Sequence, residues 1–121
     1  THQLGMRTLI EVHEEEELSR ILRLSQQPKL SFDLIGINAR NLKTLAINPS
    51  IFGALVSHIP AHIPLIAESG IGSATEVGSL ASLGADGVLV GEALVKDGHP
   101  AQAIGEFLNR AHSARVRRLS V

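Results

Sequence analysis

The sequence predicts an α/β fold in which parallel strands alternate with helices. Two observations lead to this prediction. Short apolar runs recur roughly every 27 residues, and each is followed by a segment whose apolar residues lie three or four positions apart. The runs are continuously apolar, which is typical of parallel strands covered by other elements. A helix between consecutive strands is expected, because each crossover must return the chain to the same end of the sheet.

The first strand-helix unit covers residues 8–24. Residues 8–12 (TLIEV) form a short apolar run that one carboxylate interrupts. Residues 14–24 change to helical spacing and place Leu18, Ile21 and Leu22 on one face. The glutamates of the first turn suit the positive end of the helix dipole.

The second unit repeats this pattern. Residues 32–38 (FDLIGIN) are the predicted strand, and residues 39–47 are a loop. Asn48 is then predicted as the N-cap of a helix and Pro49 as its first residue. The apolar stripe of this helix consists of Phe52, Leu55, Val56 and Ile59.

The third and fourth units complete the chain. Residues 64–69 (PLIAES) are the third strand, and Ser73 to Glu76 form a capping box for a helix that ends at Gly84. Residues 87–94 (GVLVGEAL) are the predicted fourth strand. A last helix begins at Pro100 and is expected to fray into an arginine-rich tail. Its apolar face consists of Ile104, Phe107, Leu108 and Ala111.

The number and spacing of the units predict one partial domain over residues 1–121. At this spacing eight units would need roughly 250 residues, the usual size of a (β/α)8 or TIM barrel, so four units correspond to half of one. A small open sheet of the flavodoxin type is the alternative. That fold normally carries a phosphate loop after its first strand, whereas the turn here has no glycine and a run of four glutamates, Glu14 to Glu17.

Composition excludes several classes of function. A net charge of −1 provides no field that would attract nucleic acid, and three aromatic residues, all Phe, make base-stacking surfaces improbable. The absence of cysteine excludes disulfides and thiolate metal sites. No apolar stretch approaches a membrane span and no leader precedes the first strand, so a cytoplasmic protein is expected. Small neutral or anionic ligands remain as candidates.

Polar residues follow all four predicted strands. In a barrel, the residues that carry out chemistry lie at the C-terminal ends of the strands. Any one of these residues could be a solvated rim residue, but four consecutive apolar strands that end in polar groups predict a converging pocket for a small molecule. The residues are Glu11, Asn38, Arg40, Glu68, Ser69, Gly91 and Glu92.

Glycines near the last two strands predict an anion site. Gly70, Gly72 and Gly91 lie where backbone N–H groups can approach an oxyanion without an obstructing Cβ. The alternative is that they are only turn residues. His58 and His62 are unsuited to one metal because Pro60 separates them, so no metal site is expected. His13 lies near the predicted rim and has no assigned role.

The segments IEVH, IGINARNLKT, IAESGI and GVLVGEAL, in this order and at these separations, resemble the C-terminal half of indole-3-glycerol phosphate synthase. The resemblance covers about residues 4–111. It implies a decarboxylating ring closure in tryptophan biosynthesis, in which 1-(2-carboxyphenylamino)-1-deoxyribulose 5-phosphate becomes indole-3-glycerol phosphate, carbon dioxide and water without a cofactor. It also implies the N-terminal half of the barrel as a partner, on the same or a separate chain.

Roles for individual residues follow from the same resemblance. Glu11 would be the strand-five carboxylate that transfers protons, and Asn38 would line the strand-six rim beside Arg40, a candidate partner for the substrate carboxylate. Glu68 and Ser69 would hold hydroxyls and the anthranilate end of the substrate. The phosphate would lie near three residues at the last two turns, namely Gly70, Gly91 and Glu92.

Two departures from the family pattern bear on function. Ala39 replaces an asparagine between Asn38 and Arg40, and we expect little effect because this side chain points away from its neighbours' face. The family's catalytic lysines lie on the first and third strands, which this sequence lacks. We therefore expect the chain alone to be inactive and to self-associate. The alternatives are a non-catalytic phosphate-binding half-barrel and another phosphate barrel such as phosphoribosylanthranilate isomerase.

Overall fold

The computed structural model describes residues 2–27 and 32–118. Its four strands form one parallel sheet in the order β1-β2-β3-β4, which confirms the predicted α/β class with a parallel sheet. The strands are β1 Leu9–Val12, β2 Leu34–Asn38, β3 Leu65–Glu68 and β4 Gly87–Leu89. The helices are α1 Glu15–Leu24, α2 Ile51–Val56, α3 Ala74–Ser82, α4 Glu92–Val95 and α5 Pro100–Ala114, and a short 3-10 helix covers His2–Leu4.

One face of the sheet carries the core. Alternate strand residues are buried there against Leu18 of α1, Phe52 and Leu55 of α2 and Val77 of α3. The buried strand residues are Val12, Ile35, Ile37, Leu65 and Ala67. Successive side chains of a strand point to opposite faces, so this face is the one that the helices cover.

The opposite face is open. In β1 it presents Leu9 and Glu11, and in β4 it presents Leu89, with Leu9 41% exposed and Leu89 61% exposed. β1 and β4 each pair on one side only within the described residues. A sheet face with exposed leucines and two unpaired edges form a surface that an additional layer or further strands would cover.

The predicted boundaries are wrong for the fourth strand and for both ends of the second helix, which ends at Val56 and leaves the buried Ile59 beyond it. Residues 92–95 are helical, so the fourth strand does not extend to residue 94. Leu89 pairs with Glu68, the last residue of β3, and the strand therefore has no neighbour to pair with beyond it. The second helix begins at Ile51 with Ser50 at the N-cap and not at Pro49. The Asn48 side chain accepts from the Ser50 backbone N–H at 3.2 Å, so it holds the turn that precedes the helix.

Several predicted helix ends are confirmed. Ser73 Oγ accepts from the Glu76 backbone N–H at 3.2 Å, as a capping box requires, and Gly84 follows α3 with φ +106°. Glu76 Oε2 accepts from the N–H of Gly72 at 2.6 Å, one residue before the usual position. Pro100 is the first residue of α5.

The arginine-rich tail does not fray within the described residues. Arg118 donates to the carbonyl of Ile63 and lies 3.2 Å from Asp86, and Arg115 lies 3.5 Å from the same carboxylate. Asp86 also accepts from the Leu65 backbone N–H at 2.9 Å. This carboxylate therefore ties the tail to the N-terminal ends of β3 and β4, opposite the strand ends where the polar residues lie.

The described helices are all too short or too polar to span a lipid bilayer.

Candidate active site

A cleft of about 540 Å³ lies at the C-terminal edge of the sheet. The eight residues predicted for catalysis and binding all line it, namely Glu11, Asn38, Arg40, Glu68, Ser69, Gly70, Gly91 and Glu92. The parallel register explains their convergence. Asn38 pairs with Glu68, and Glu11 pairs with Gly36, so these side chains emerge from the same open face.

Asn38 connects three parts of the site. Its Nδ2 donates to Glu11 Oε1 at 2.7 Å, and its Oδ1 accepts from the Arg40 backbone N–H at 2.9 Å. The side chain is buried, so both halves of the amide need these partners. Asn38 therefore fixes the carboxylate of Glu11 and the start of the loop that carries Arg40.

That loop has its own supports. Asn41 Oδ1 accepts from the backbone N–H groups of Lys43 at 2.8 Å and Thr44 at 3.1 Å. An antiparallel bridge joins Arg40 to Ile47 across the loop. Asn41 therefore holds this loop, and the backbone of Arg40 is fixed at the rim of the cleft.

Glu11 and Glu68 form a carboxyl pair. Burial and the adjacent Glu11 carboxylate raise the pKa of Glu68 to about 7, whereas hydrogen bonds from Glu68 and Asn38 lower the pKa of Glu11. With a pKa of about 7, Glu68 holds its proton at mildly acidic pH and releases it through neutral pH, whereas the lowered pKa of Glu11 makes it a carboxylate there. The cleft thus holds two carboxyl groups of different pKa on β1 and β3, with β2 between them, a pattern that suits proton-transfer chemistry.

The protonation of Glu68 should be visible in folding stability. Because the pKa of Glu68 lies above the ~4.3 of an ordinary glutamate, the folded chain binds this proton more tightly than the unfolded chain. The stabilisation is complete below about pH 4 and is lost as pH rises to about 7. We expect Glu68→Gln, which mimics the neutral acid, to lose less stability than the parent between pH 5 and pH 8, by on the order of 1–3 kcal/mol. Urea unfolding at both pH values measures this difference.

An exposed glutamate supplies the control for that measurement. Glu15 lies in the first turn of α1 and is exposed. The substitution Glu15→Gln should leave the pH dependence of the parent unchanged. If Glu68→Gln and the parent lost equal stability between the two pH values, Glu68 would be ionised throughout.

Gly36 is a site residue that sequence reasoning missed. A Cβ on Gly36 would lie 2.1 Å from Glu68 Oε1 and 2.9 Å from its Cδ, so the carboxyl group of Glu68 occupies the space that a side chain would fill. Glu68 Oε1 is buried there without a hydrogen-bond partner among the described residues. Within an apolar run this glycine carries little signal, although glycine inside a strand can mark a close approach.

Lys96 was also missed. It lies at the C-terminal end of α4 and lines the cleft one helical turn after Glu92. The prediction of a strand through residue 94 removed Lys96 from the rim. In addition to Arg40, Lys96 supplies a second cation to a cleft that contains several carboxylates.

The turns at Gly70 and Gly91 differ in how much space surrounds the glycine. Ser69 and Gly70 both have positive φ, at 66° and 70°, and a Cβ on Gly70 would lie 2.6 Å from Ile47 Cγ2. Gly70 is therefore required by the turn itself. Gly91 is the N-cap of α4, and a Cβ there would meet nothing within 4 Å. The space beside Gly91 is open, whereas the space beside Gly70 is filled by protein.

Within residues 2–27 and 32–118, no three histidine or acidic side chains come together in an arrangement that could hold a metal ion. His58 and His62 lie beyond α2, away from the cleft lining.

Comparisons with known proteins agree with the sequence resemblance. The family model described as indole-3-glycerol phosphate synthase matches residues 1–107. Relatives of that name include one from Paenarthrobacter aurescens, 47% identical over 107 residues, and one from Rhodococcus jostii, 43% identical over 109 residues. These matches cover 88% and 90% of this chain but 37% and 38% of the relatives. The chain thus spans less than half of their length.

A solved structure shows the same fold. The crystal structure of the Amycolatopsis orientalis BexX/CysO complex contains a chain that matches with a TM-score of 0.66 and 24% identity, over 99% of this chain and 50% of that one. The family found is not phosphoribosylanthranilate isomerase, which the sequence left open. With a family model that matches almost the whole sequence and relatives above 40% identity, the chain belongs to the indole-3-glycerol phosphate synthase family.

Proposed function

We propose that residues 1–121 form the C-terminal half of an indole-3-glycerol phosphate synthase barrel and supply one wall of its active site. The observation that carries this proposal is the carboxyl pair. Glu11 and Glu68 line the same cleft at the strand ends, with the pKa of Glu68 raised to about 7 and that of Glu11 lowered, beside Asn38 and Arg40. Ring closure with loss of water requires proton transfers, and an ordered acid and base next to a cation suits a substrate that carries a carboxylate.

Each residue has a role in this proposal. Glu11 moves protons during condensation and dehydration, and Asn38 holds it in place. Glu68, as a neutral acid, donates a hydrogen bond to a substrate hydroxyl, and Ser69 contacts the anthranilate end. Arg40 pairs with the substrate carboxylate through its planar guanidinium group.

The phosphate is proposed to bind between the last two turns. In barrels of this type, the loops after strands seven and eight and a short extra helix often form the phosphate site. The short helix α4, with Gly91 at its N-cap, follows the last strand of the sheet, and its first N–H groups have no partner inside the helix. Gly70 stands at the neighbouring turn. Glu92 contributes its backbone, since its carboxylate would repel the anion.

The open sheet face supports the need for a second half. Leu9 and Leu89 are exposed on the face that would be the barrel interior, and both sheet edges are unpaired within the described residues. Four further strands would cover this face, pair both edges and supply the lysines that the resemblance places on the first and third strands. The partner is thus the N-terminal half, and without it we expect the chain to self-associate. We also propose that the protein works in the cytoplasm.

A completed barrel tests the proposed activity. The completed barrel is defined as this chain joined to the N-terminal part of the Paenarthrobacter aurescens relative, in place of that protein's own C-terminal part. It should convert the carboxyphenylamino-deoxyribulose phosphate to indole-3-glycerol phosphate. The absorbance of the indole product measures this reaction. A folded completed barrel that binds the substrate phosphate but yields no product would support the non-catalytic alternative.

The proposed phosphate site predicts that a side chain at Gly91 lowers the affinity for the substrate. Gly91→Val places methyl groups in open space beside α4, so the substitution should spare the packing of the chain while it blocks the approach of an oxyanion. We expect substrate affinity to fall by about tenfold or more, the loss of about one charge-assisted hydrogen bond. Titration of the substrate into the completed barrel measures this change.

Glu92→Gln is the matched control for Gly91→Val. It keeps the backbone of the same turn and removes a negative charge, so affinity should stay equal or rise slightly. A folded Gly91→Val barrel with parental substrate affinity would contradict the phosphate site and would make Gly70 and Gly91 plain turn residues.

A further inference from the structure

His13 occupies a defined position that the proposed mechanism does not use. It follows β1 and precedes α1, and its ring lies between two carboxylates. Glu17 Oε2 accepts from the His13 backbone N–H at 2.6 Å and lies 3.2 Å from Nδ1. Nε2 lies 3.8 Å from Glu11 Oε2. The histidine thus connects the first turn of α1 to the carboxylate that the site uses as a base.

The hydrogen-bonding capacities of these groups determine where the ring proton lies. An ionised carboxylate only accepts, so the contact with Glu17 requires the hydrogen on Nδ1. In the neutral ring Nε2 then carries a lone pair, and this nitrogen is buried without a partner among the described residues. It faces Glu11 Oε2, another acceptor. The contact becomes attractive only when one more proton lies on Nε2 or on Glu11.

We propose that His13, held by Glu17, is a positioning residue that takes up and returns the proton that Glu11 carries. The inference rests on the proposed function for its role in turnover. In the transfer, the O–H bond of Glu11 breaks as the Nε2–H bond forms, which leaves a carboxylate beside an imidazolium. The reverse step restores the acid. No electron transfer or co-reactant is involved, and a shift of about 1 Å brings the two atoms to hydrogen-bond distance.

Oε2 is the oxygen of Glu11 that faces the His13 ring. Oε1 is held by Asn38, which cannot accept a proton there because its Nδ2 is the donor. Besides Glu11 and Glu17, two charged residues, Glu14 and Arg40, line a second cavity of about 250 Å³ together with His13. This cavity shares Asn38, Arg40 and Ile47 with the lining of the main cleft.

The completed barrel allows two independent measurements. Nitrogen NMR of labelled histidine, without substrate, reports which ring nitrogen carries the proton. We expect neutral His13 to be protonated on Nδ1, and Glu17→Ala to move the proton to Nε2, which an unconstrained histidine favours. The His13→Asn spectrum identifies the signal, since only that signal disappears.

Kinetics test the proton transfer. His13→Ala should lower kcat by about 10- to 100-fold with little change in KM, because the loss concerns proton transfer and not substrate binding. Added imidazole should restore part of kcat, whereas pyrazole, of nearly equal size but far less basic, should not. His58→Asn, an exposed histidine beyond α2, is the control and should keep the parental kcat.

The outcomes separate this inference from the proposed function. A barrel without product formation would overturn the function, while the NMR result would still decide the geometry at His13. Neutral His13 protonated on Nε2 would overturn the inference, and so would parental kcat in His13→Ala or equal rescue by both azoles. Protonated Nδ1 together with imidazole-specific rescue would support it.

Discussion

Replacing Glu11 by glutamine is expected to lower kcat of the completed barrel by about 10²–10⁴-fold, the range for loss of a positioned acid-base group. Glutamine retains the length of the side chain and an oxygen that can accept from Asn38, so the site keeps its shape. It cannot take up a proton. Substrate affinity should change little, and the fold of the chain should be preserved.

A second measurement distinguishes the loss of proton transfer by Glu11 from a general disruption of the site. The Glu11 carboxylate helps to raise the pKa of Glu68, so Glu11→Gln should lower the pKa of Glu68. Glu106→Gln, on the exposed surface of α5, is the matched control and should leave both kcat and the pKa of Glu68 unchanged. Parental kcat in Glu11→Gln would remove Glu11 from the mechanism.

Replacing Gly36 by alanine is expected to displace the Glu68 carboxyl group. The new Cβ would lie 2.1 Å from Oε1, far inside van der Waals contact, and 3.2 Å from Leu9 Cδ2 on the other side. The carboxyl of Glu68 must therefore leave its place beside Glu11. We expect kcat to fall on the order of 10²-fold, since misplacement of a reacting group by about 1 Å has this effect.

Stability measurements distinguish this effect from ordinary strand energetics. Alanine would normally favour a strand over glycine, so an open position would gain stability. Gly105→Ala in α5, where a Cβ meets nothing within 4 Å, is the control and should stabilise by about 0.5–1 kcal/mol without changing kcat. A Gly36→Ala barrel with parental kcat would show that the site tolerates a displaced Glu68.

The polar residues of the cleft could be predicted because parallel strands end at one edge. Glu11, Asn38 and Glu68 each lie near the C-terminal end of an apolar run, and the geometry of a parallel sheet then places them together. The role of Gly36 could not be predicted this way. It depends on a side chain from the next strand lying over it, and the register that produces this overlap is a property of strand pairing.

The boundary errors also arise from contacts that the local sequence pattern does not reveal. Residues 87–94 read as one apolar run, and the end of the strand at Leu89 is decided by the end of its neighbour at Glu68. Asn48 has the chemistry of a helix cap, but its side chain closes the turn that leads to Ser50, the actual N-cap. The attachment of the tail through Arg118 and Asp86 joins residues far apart in sequence, for which local patterns give no signal.

Mixing two separate chains tests the central claim most directly. This chain and the N-terminal part of the Paenarthrobacter aurescens relative, each purified alone, are titrated against each other while mass and product formation are measured. We expect each to be inactive and this chain to self-associate alone, because its open face and edges are uncovered. The mixture should form a one-to-one complex with synthase activity that saturates at equal concentrations. The half-barrel account would be contradicted if this chain were a monodisperse monomer that does not bind the N-terminal part, or if it were fully active alone.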